Sequence, residues 1–238
     1  MKPVEQGPPG LFSNSATEPK EALNANLEQL VRPIAFSLLL TGLAGFADAI
    51  GLLHLNHLYV SFMSGNSTHF GLALAQLSIA EVLWIAFFIS SFVAGAALGT
   101  WIIDRRPTAP FVTALYAEAS IFLIAILLAR SGYLASCLIA ITIAMGLQNA
   151  LHRSILGADV GRSFVTGTLF NLGQSIARLA RSPQEIYTAA LNAASWFAFI
   201  LGAVLGAHAL AAFGLGDSLV FGLAVLTILA AGLRLEWL

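Results

Sequence analysis

The sequence predicts an all-α polytopic membrane protein with six transmembrane helices in two inverted three-helix repeats, each carrying a polar re-entrant half helix. Three observations predict it. Of 238 residues, 58% are hydrophobic and only 10% are charged, with a mean hydropathy of +0.84, whereas a soluble domain carries about 25% charged residues. Separate stretches are apolar over the roughly 17–25 residues that a bilayer crossing requires. Motifs of the first half return in the second. The composition excludes an ordinary soluble enzyme, a nucleic-acid binder and a disordered regulator. A net charge of -1 offers no polybasic attraction to phosphate. The single cysteine, Cys137, excludes an internal disulfide and a cysteine-based metal site.

Residues 1–32 hold Pro3, Pro8, Pro9 and Pro19 and no apolar run, so they read as a disordered cytoplasmic tail with a short surface helix over Glu21–Leu30. Arg32-Pro33 then marks the start of the membrane domain, 33–238, with an interfacial cation before a proline in the first helical turn. The spans follow at Ile34–Leu55, Val82–Ile103, Phe111–Ala129, Tyr133–Leu151, Tyr187–Ala212 and Leu219–Leu235. Trp84 and Trp101 bracket the second, about 25 Å apart on a helix, a spacing that suits two interfacial anchors. Ser61–Gln76 and Ser163–Ala177 are helical in pattern but rich in Ser, Thr, Asn, Gln and Gly, and do not read as simple spans.

The repeat relates residues 33–130 to 131–238. Gly45-Phe-Ala-Asp-Ala matches Gly146-Leu-Gln-Asn-Ala, and Ser61-Phe-Met-Ser-Gly65 matches Ser163-Phe-Val-Thr-Gly167. Asp48 thus aligns with Asn149, Gly71 with Gly173, and Gly95 and Gly99 with Gly202 and Gly206.

Positive charge selects the topology. If both polar segments crossed the membrane, Arg105, Arg106, Arg153 and Arg162 would lie outside with seven basic residues inside. If both segments dip in and return, ten of the 11 Lys and Arg lie inside and only Arg130 outside. The six-span arrangement, with both termini cytoplasmic in a bacterial plasma membrane, follows. Three spans per half then invert the second half relative to the first, a recurrent transporter design.

Two motif sets mark the candidate site. In Ser64-Gly65-Asn66-Ser67-Thr68, glycine permits a tight turn, and Ser64 or Asn66 can cap the helix that follows. Thr166-Gly167-Thr168 begins a similar helix. The expectation is that two helix N-termini face each other near the membrane centre and bind a small solute through Asp48, Ser64, Gly65, Asn66, Thr68, Asn149, Thr166, Gly167 and Thr168. The competing reading is close packing on small residues, which is also how the Gly95/Gly99 and Gly202/Gly206 pairs are read. Asp48 is an intramembrane carboxylate, which needs a partner or a task. It carries a coupled proton, binds a cation, pairs with Arg153 or Arg162, or hydrogen-bonds the Ser64–Thr68 backbone. Glu118, seven residues into the third span, is a second candidate proton carrier. His54, His57 and His69 lack the further ligands of a zinc site, so no metal and no other cofactor is expected.

Ala44-Gly-Phe-Ala-Asp-Ala, Phe62-Met-Ser-Gly-Asn, Met145-Gly-Leu-Gln-Asn-Ala and Phe164-Val-Thr-Gly-Thr together resemble the YoaK-like family of bacterial multi-pass membrane proteins over residues 35–235. The resemblance implies location and architecture and names no substrate. His152-Arg153 departs from the smaller apolar residues expected after the second motif. The function expected is transport of a small solute by a channel or secondary transporter, with no enzymatic activity. The alternative is a structural or partner-binding membrane protein. Its partners are the lipid bilayer and the solute, with no nucleic acid, and a homo-oligomer stays open.

Overall fold

The structure, a computed structural model, describes residues 18–54, 57–105, 109–151, 153–155, 158–160, 165–180 and 184–235. Helix α1 runs from Glu18 to His54 with Pro33 inside it. The helix therefore does not start at Arg32-Pro33, and residues 18–32 of the expected tail are helical; residues 1–17 lie outside the described residues. The segment before Pro33 is rich in Glu, Lys, Ala, Leu and Gln, which are strong helix formers. Proline deprives only the carbonyl four residues earlier, at Gln29, and that group lies beyond the apolar span.

Among the described residues, five helices are long and apolar enough to cross a membrane: Val31–His54 of α1, Ile79–Arg105 (α3), Pro110–Arg130 (α4), Leu134–Leu151 and Glu185–Arg234. The fourth comprises α5, Leu134–Gln148, and one 3-10 turn, Asn149–Leu151. The fifth belongs to α7, Gln184–Arg234, which is interrupted at Gly214 with φ 73° and ψ 176°. Gly202 abuts Gly42, while Gly222 abuts Leu43 and Phe122. On a straight helix those two glycines would lie about 30 Å apart, so the chain reverses at Gly214 into arms 184–213 and 215–234. An Arg130–Asp217 ion pair at 2.6 Å ties this turn to the end of α4.

Close glycine contacts fix the direction of each helix. Gly45 meets Phe199 and Gly206 meets Phe46, so α1 and the first arm of α7 run parallel. Gly95 meets Ile143 and Gly99 meets Leu147, so α3 and α5 run parallel too. Phe122 meets Gly222 and Arg130 meets Gly216, so α4 opposes the second arm. Helices α4 and α5 form a hairpin: Gly132 has φ 81°, and the Tyr133 and Gly132 N–H groups donate to Leu128 and Ala129. Thus α1, α4 and the first arm of α7 point one way, and α3, α5 and the second arm point the other.

It follows that α1 ends on the side where α3 begins, with helix α2, Met63–Ala75, between them in the chain. Likewise α5 ends on the side where α7 begins, with helix α6, Val165–Arg178, between them, and Arg105, Arg178 and Arg234 close α3, α6 and α7 toward that end. The only β-structure among the described residues is an antiparallel pair, β1 Arg153–Ile155 and β2 Ala158–Val160, leading into α6. Phe36, Leu40, Phe88, Phe122, Leu138 and Met145 fill the interior. Leu83, Phe87, Val93, Leu201 and Ile228 are apolar on the outside. Helices apolar all round require a lipid solvent.

Candidate functional site

Asp48 lies in α1 about 9 Å along the axis from His54. Its Oδ1 accepts the Ser61 backbone N–H at 2.7 Å, and its Oδ2 accepts the Ser61 hydroxyl at 2.7 Å. Of the four roles expected for Asp48, a structural hydrogen bond is present, but to Ser61 rather than to the Ser64–Thr68 backbone. The reason is local: α2 begins at Met63, and Ser61 is in the non-helical stretch before it, whose backbone still needs partners. Arg162 lies outside the described residues, and Arg153 is described only through the backbone of β1.

Asn66 makes a second clamp on the same loop. Its Oδ1 accepts the Tyr59 N–H at 2.9 Å, and its Nδ2 donates to the Tyr59 carbonyl at 2.7 Å. Two side chains thus replace the sheet or helix partners that an irregular segment lacks inside a membrane domain. Gly65 is not a turn residue. It is helical, and a Cβ there would sit 2.6 Å from Cδ1 of Phe62, whose ring meets Tyr59 edge-on at 5.1 Å. Ser64 and Asn66 likewise fall within the first turn rather than at a cap, and no side chain caps α2. Ser64 and Thr68 are exposed, and the Thr68 hydroxyl donates to the Ser64 carbonyl at 3.1 Å.

In the other half, Thr166 and Gly167 also lie in a first turn, that of α6, with Thr166 exposed and Thr168 buried. This helix is inside out: Thr168 and Ser175 are buried, whereas Leu169, Phe170 and Ile176 are exposed. Its polar face lies against α7, where Asn192 and Ser195 are also buried. Asn149, the repeat mate of Asp48, donates from Nδ2 to the Met145 carbonyl of its own helix at 2.8 Å. Its counterpart loop residue Ser163 is outside the described residues.

Helix α2 packs on α3, and α6 on α7 and β2. The Gln148 amide donates to the Leu40 carbonyl at 2.9 Å, so the end of α5 lies level with residue 40 of α1. Asp48 is a further eight residues along, about 12 Å by helical rise. Asp48 and Asn149, matched in the repeat, therefore lie at different depths, Asp48 beside the loop before α2 and Asn149 at the end of α5.

Glu118 is fully buried in α4, and neither carboxyl oxygen has a hydrogen-bond partner among the described residues. Phe122, one turn on, meets Gly222 together with Leu43, which sets Glu118 level with Leu39 and Leu40 of α1. Ser37 and Gln148 occupy the same layer, and Ser37 Oγ and Gln148 Oε1 are buried without partners as well. Sequence reading missed Ser37, Gln148, Asn192 and Ser195. The available signal was polar residues at helical spacing inside spans, as in Ser37/Thr41 and Thr188/Asn192/Ser195. His54 and His57 are exposed. Among the described residues, no three His, Cys, Asp or Glu side chains come together as a metal site.

A family model described as "Protein of unknown function (DUF1275)" matches residues 36–232. "UPF0700 transmembrane protein RA0705" of Rhizobium meliloti (strain 1021) is 34% identical over 171 residues, covering 69% of this chain and 70% of that protein. "UPF0700 transmembrane protein YoaK" of Bacillus subtilis (strain 168) is 25% identical over 177 residues, covering 70% and 79%. No solved structure matches the chain.

Proposed function

The chain belongs to the DUF1275 family, its similar proteins RA0705 and YoaK are named as transmembrane proteins, and from that position we propose that it transports a small solute. The reading has six spans in two inverted three-span repeats, with α2 and α6 as re-entrant half helices and both termini cytoplasmic. The reversal at Gly214 supports counting α7 twice. The repeat is supported by the glycine contacts: Gly45 packs on the arm that carries Gly202 and Gly206, and its mate Gly146 packs on α3 with Gly95 and Gly99. Each half lends its first helix to the second span of the other half, as a pseudo-twofold axis in the membrane plane requires.

The observation that carries transport is the Glu118 carboxyl group. Burying a carboxyl without hydrogen bonds in an apolar bundle costs several kcal/mol. A helix bundle that served only as scaffold gains nothing by keeping it. A transporter gains a group that binds cargo or a coupling ion inside the bundle. The inward polar face of α6 and the buried Asn192 and Ser195 extend this polar interior toward the arginine-rich end.

The purified chain in liposomes tests the reading. Flux of at least one solute from a broad panel is expected, and Glu118→Gln should abolish it while the variant still inserts and elutes as the wild type does. Wild-type liposomes no more permeable than protein-free ones across the panel would refute transport. One observation favours the second reading, a purely structural membrane protein: the polar contacts of Asp48 and Asn66 all go to the Tyr59–Ser61 loop of the chain itself.

A further inference from the structure

We propose that Glu118, Gln148 and Ser37 form a binding site for a small monovalent cation in the arginine-rich half of the bundle. The inference deepens the transport reading and rests on the same carboxylate. Its argument is the chemistry of what is left unbonded. In one buried layer stand both Glu118 oxygens, Gln148 Oε1 and Ser37 Oγ, each without a partner. The Gln148 amide is oriented by its donation to the Leu40 carbonyl at 2.9 Å, so its oxygen is the free atom. The Ser37 carbonyl already accepts the Thr41 hydroxyl at 2.9 Å, which pins that turn of α1.

The layer therefore has a surplus of acceptors. Once ionised, Glu118 offers with Gln148 only oxygen lone pairs there, and Ser37 offers a hydroxyl oxygen that can also accept, so a bound cation replaces the proton that the empty site holds on Glu118. A ligand that completes such a set brings positive charge or N–H donors and brings no acceptors. A carboxylate, phosphate or sulfate would meet like charge and find no donor but one hydroxyl. One formal negative charge balances one positive charge. Calcium and magnesium take six or more oxygens, more than this layer holds. An alkali cation and a primary ammonium share the required chemistry: a compact single positive charge served by three or four oxygens. The layer lies about 12 Å along α4 from Pro110, within the half where Asn192, Ser195, Thr168 and Ser175 are also buried.

The test is thermal stability of the full chain in nanodiscs, titrated with sodium, potassium or methylammonium chloride against choline chloride at constant ionic strength. A saturable rise in Tm is expected with at least one small cation and not with choline, whose quaternary nitrogen has no N–H to donate and is shielded from oxygen ligands by its methyl groups. Saturation by alkali ions alone identifies a metal-ion site, and saturation by methylammonium alone identifies an amine site. Glu118→Gln should remove the saturable rise, and Ser37→Ala, which loses one neutral ligand, should weaken binding about tenfold. Equal shifts in every salt, or saturation that survives Glu118→Gln, would overturn the site. Should Glu118→Gln fail to fold, the wild type decides by infrared spectroscopy. A carboxylic acid band that persists at every cation concentration overturns the proposal, whereas its conversion to a carboxylate band on titration supports it. Saturable binding in a protein without flux would sink transport and leave this site standing. Flux in a protein without saturable binding would do the reverse.

Discussion

Asp48 and Glu118 are both carboxylates buried in membrane-length helices, and their neighbours set them apart. Asp48 spends both oxygens on Ser61, at 2.7 Å each. Those bonds hold the loop that precedes α2 against α1. Asparagine at 48 keeps an oxygen for the Ser61 N–H and offers its amide to the Ser61 hydroxyl. Asp48→Asn should therefore cost under about 1 kcal/mol, while Asp48→Ala, which strands a buried N–H and a buried hydroxyl, should cost about 3 kcal/mol. Chemical denaturation in detergent micelles measures both. Equal losses in the two variants would mean that the charge of Asp48, rather than its acceptor oxygens, holds the loop. The sequence singled out Asp48 because a carboxylate in an apolar span is conspicuous. It did not reveal the partner, because pairing with Ser61 depends on where the chain turns back after His54.

At the scale of elements, glycine spacing and the helix joints make separable predictions. Gly42 and Gly45 are one turn apart on the same face of α1, yet a Cβ at Gly42 would lie 3.4 Å from the Ala198 carbonyl, an ordinary contact, whereas one at Gly45 would lie 2.9 Å from the Phe199 carbonyl carbon and closer still to its oxygen. Gly45→Ala must push two backbones apart and should cost about 2–3 kcal/mol, in the range of overpacked cores. Gly42→Ala should be close to neutral. Unfolding of the two variants side by side measures the difference, and equal losses would show that α1 does not approach α7 at Gly45. The joint between α2 and α3 has the opposite character. Leu77 sits at φ 55°, with its N–H donating to Leu74 and that of Ser78 donating to Ala73. A glycine serves that left-handed position in the matching joint at Gly132. Leu77→Gly should stabilise the protein by about 1 kcal/mol, since the left-handed conformation penalises a Cβ and the Leu77 side chain is 82% exposed. A lower Tm in that variant would show that Leu77 anchors α2 to lipid.

For the whole molecule, helix directions lead to a sided prediction. In a Cys137→Ala background, Leu77→Cys and Tyr133→Cys should label with a membrane-impermeant thiol reagent from one side, and Leu179→Cys from the other. All three native side chains are exposed, and Cys137 is buried. Labelling of Leu77→Cys together with Leu179→Cys would mean that α2 crosses the bilayer and would remove the inverted arrangement. Under the proposed topology Leu179 is on the cytoplasmic side, because Arg105, Arg178 and Arg234 close helices toward its end.

Composition and period determined that this is a helical membrane protein, where each apolar segment begins and ends to within a few residues, and that Gly95, Gly99, Gly202 and Gly206 pack. These are local properties: a segment's length and apolarity decide whether it tolerates lipid, and small residues at helical spacing permit close approach whatever the partner. The tertiary structure decided what the polar residues do. Serine, asparagine and aspartate read alike in a sequence, since each can cap, clamp or bind. Only the meeting of Asp48 with Ser61, of Asn66 with Tyr59 and of Gln148 with Leu40 shows which have spent their hydrogen bonds on the fold. By the same count, the unbonded oxygens of Glu118, Gln148 and Ser37 were invisible until four helices were packed, because whether a buried atom lacks a partner depends on every neighbour it has.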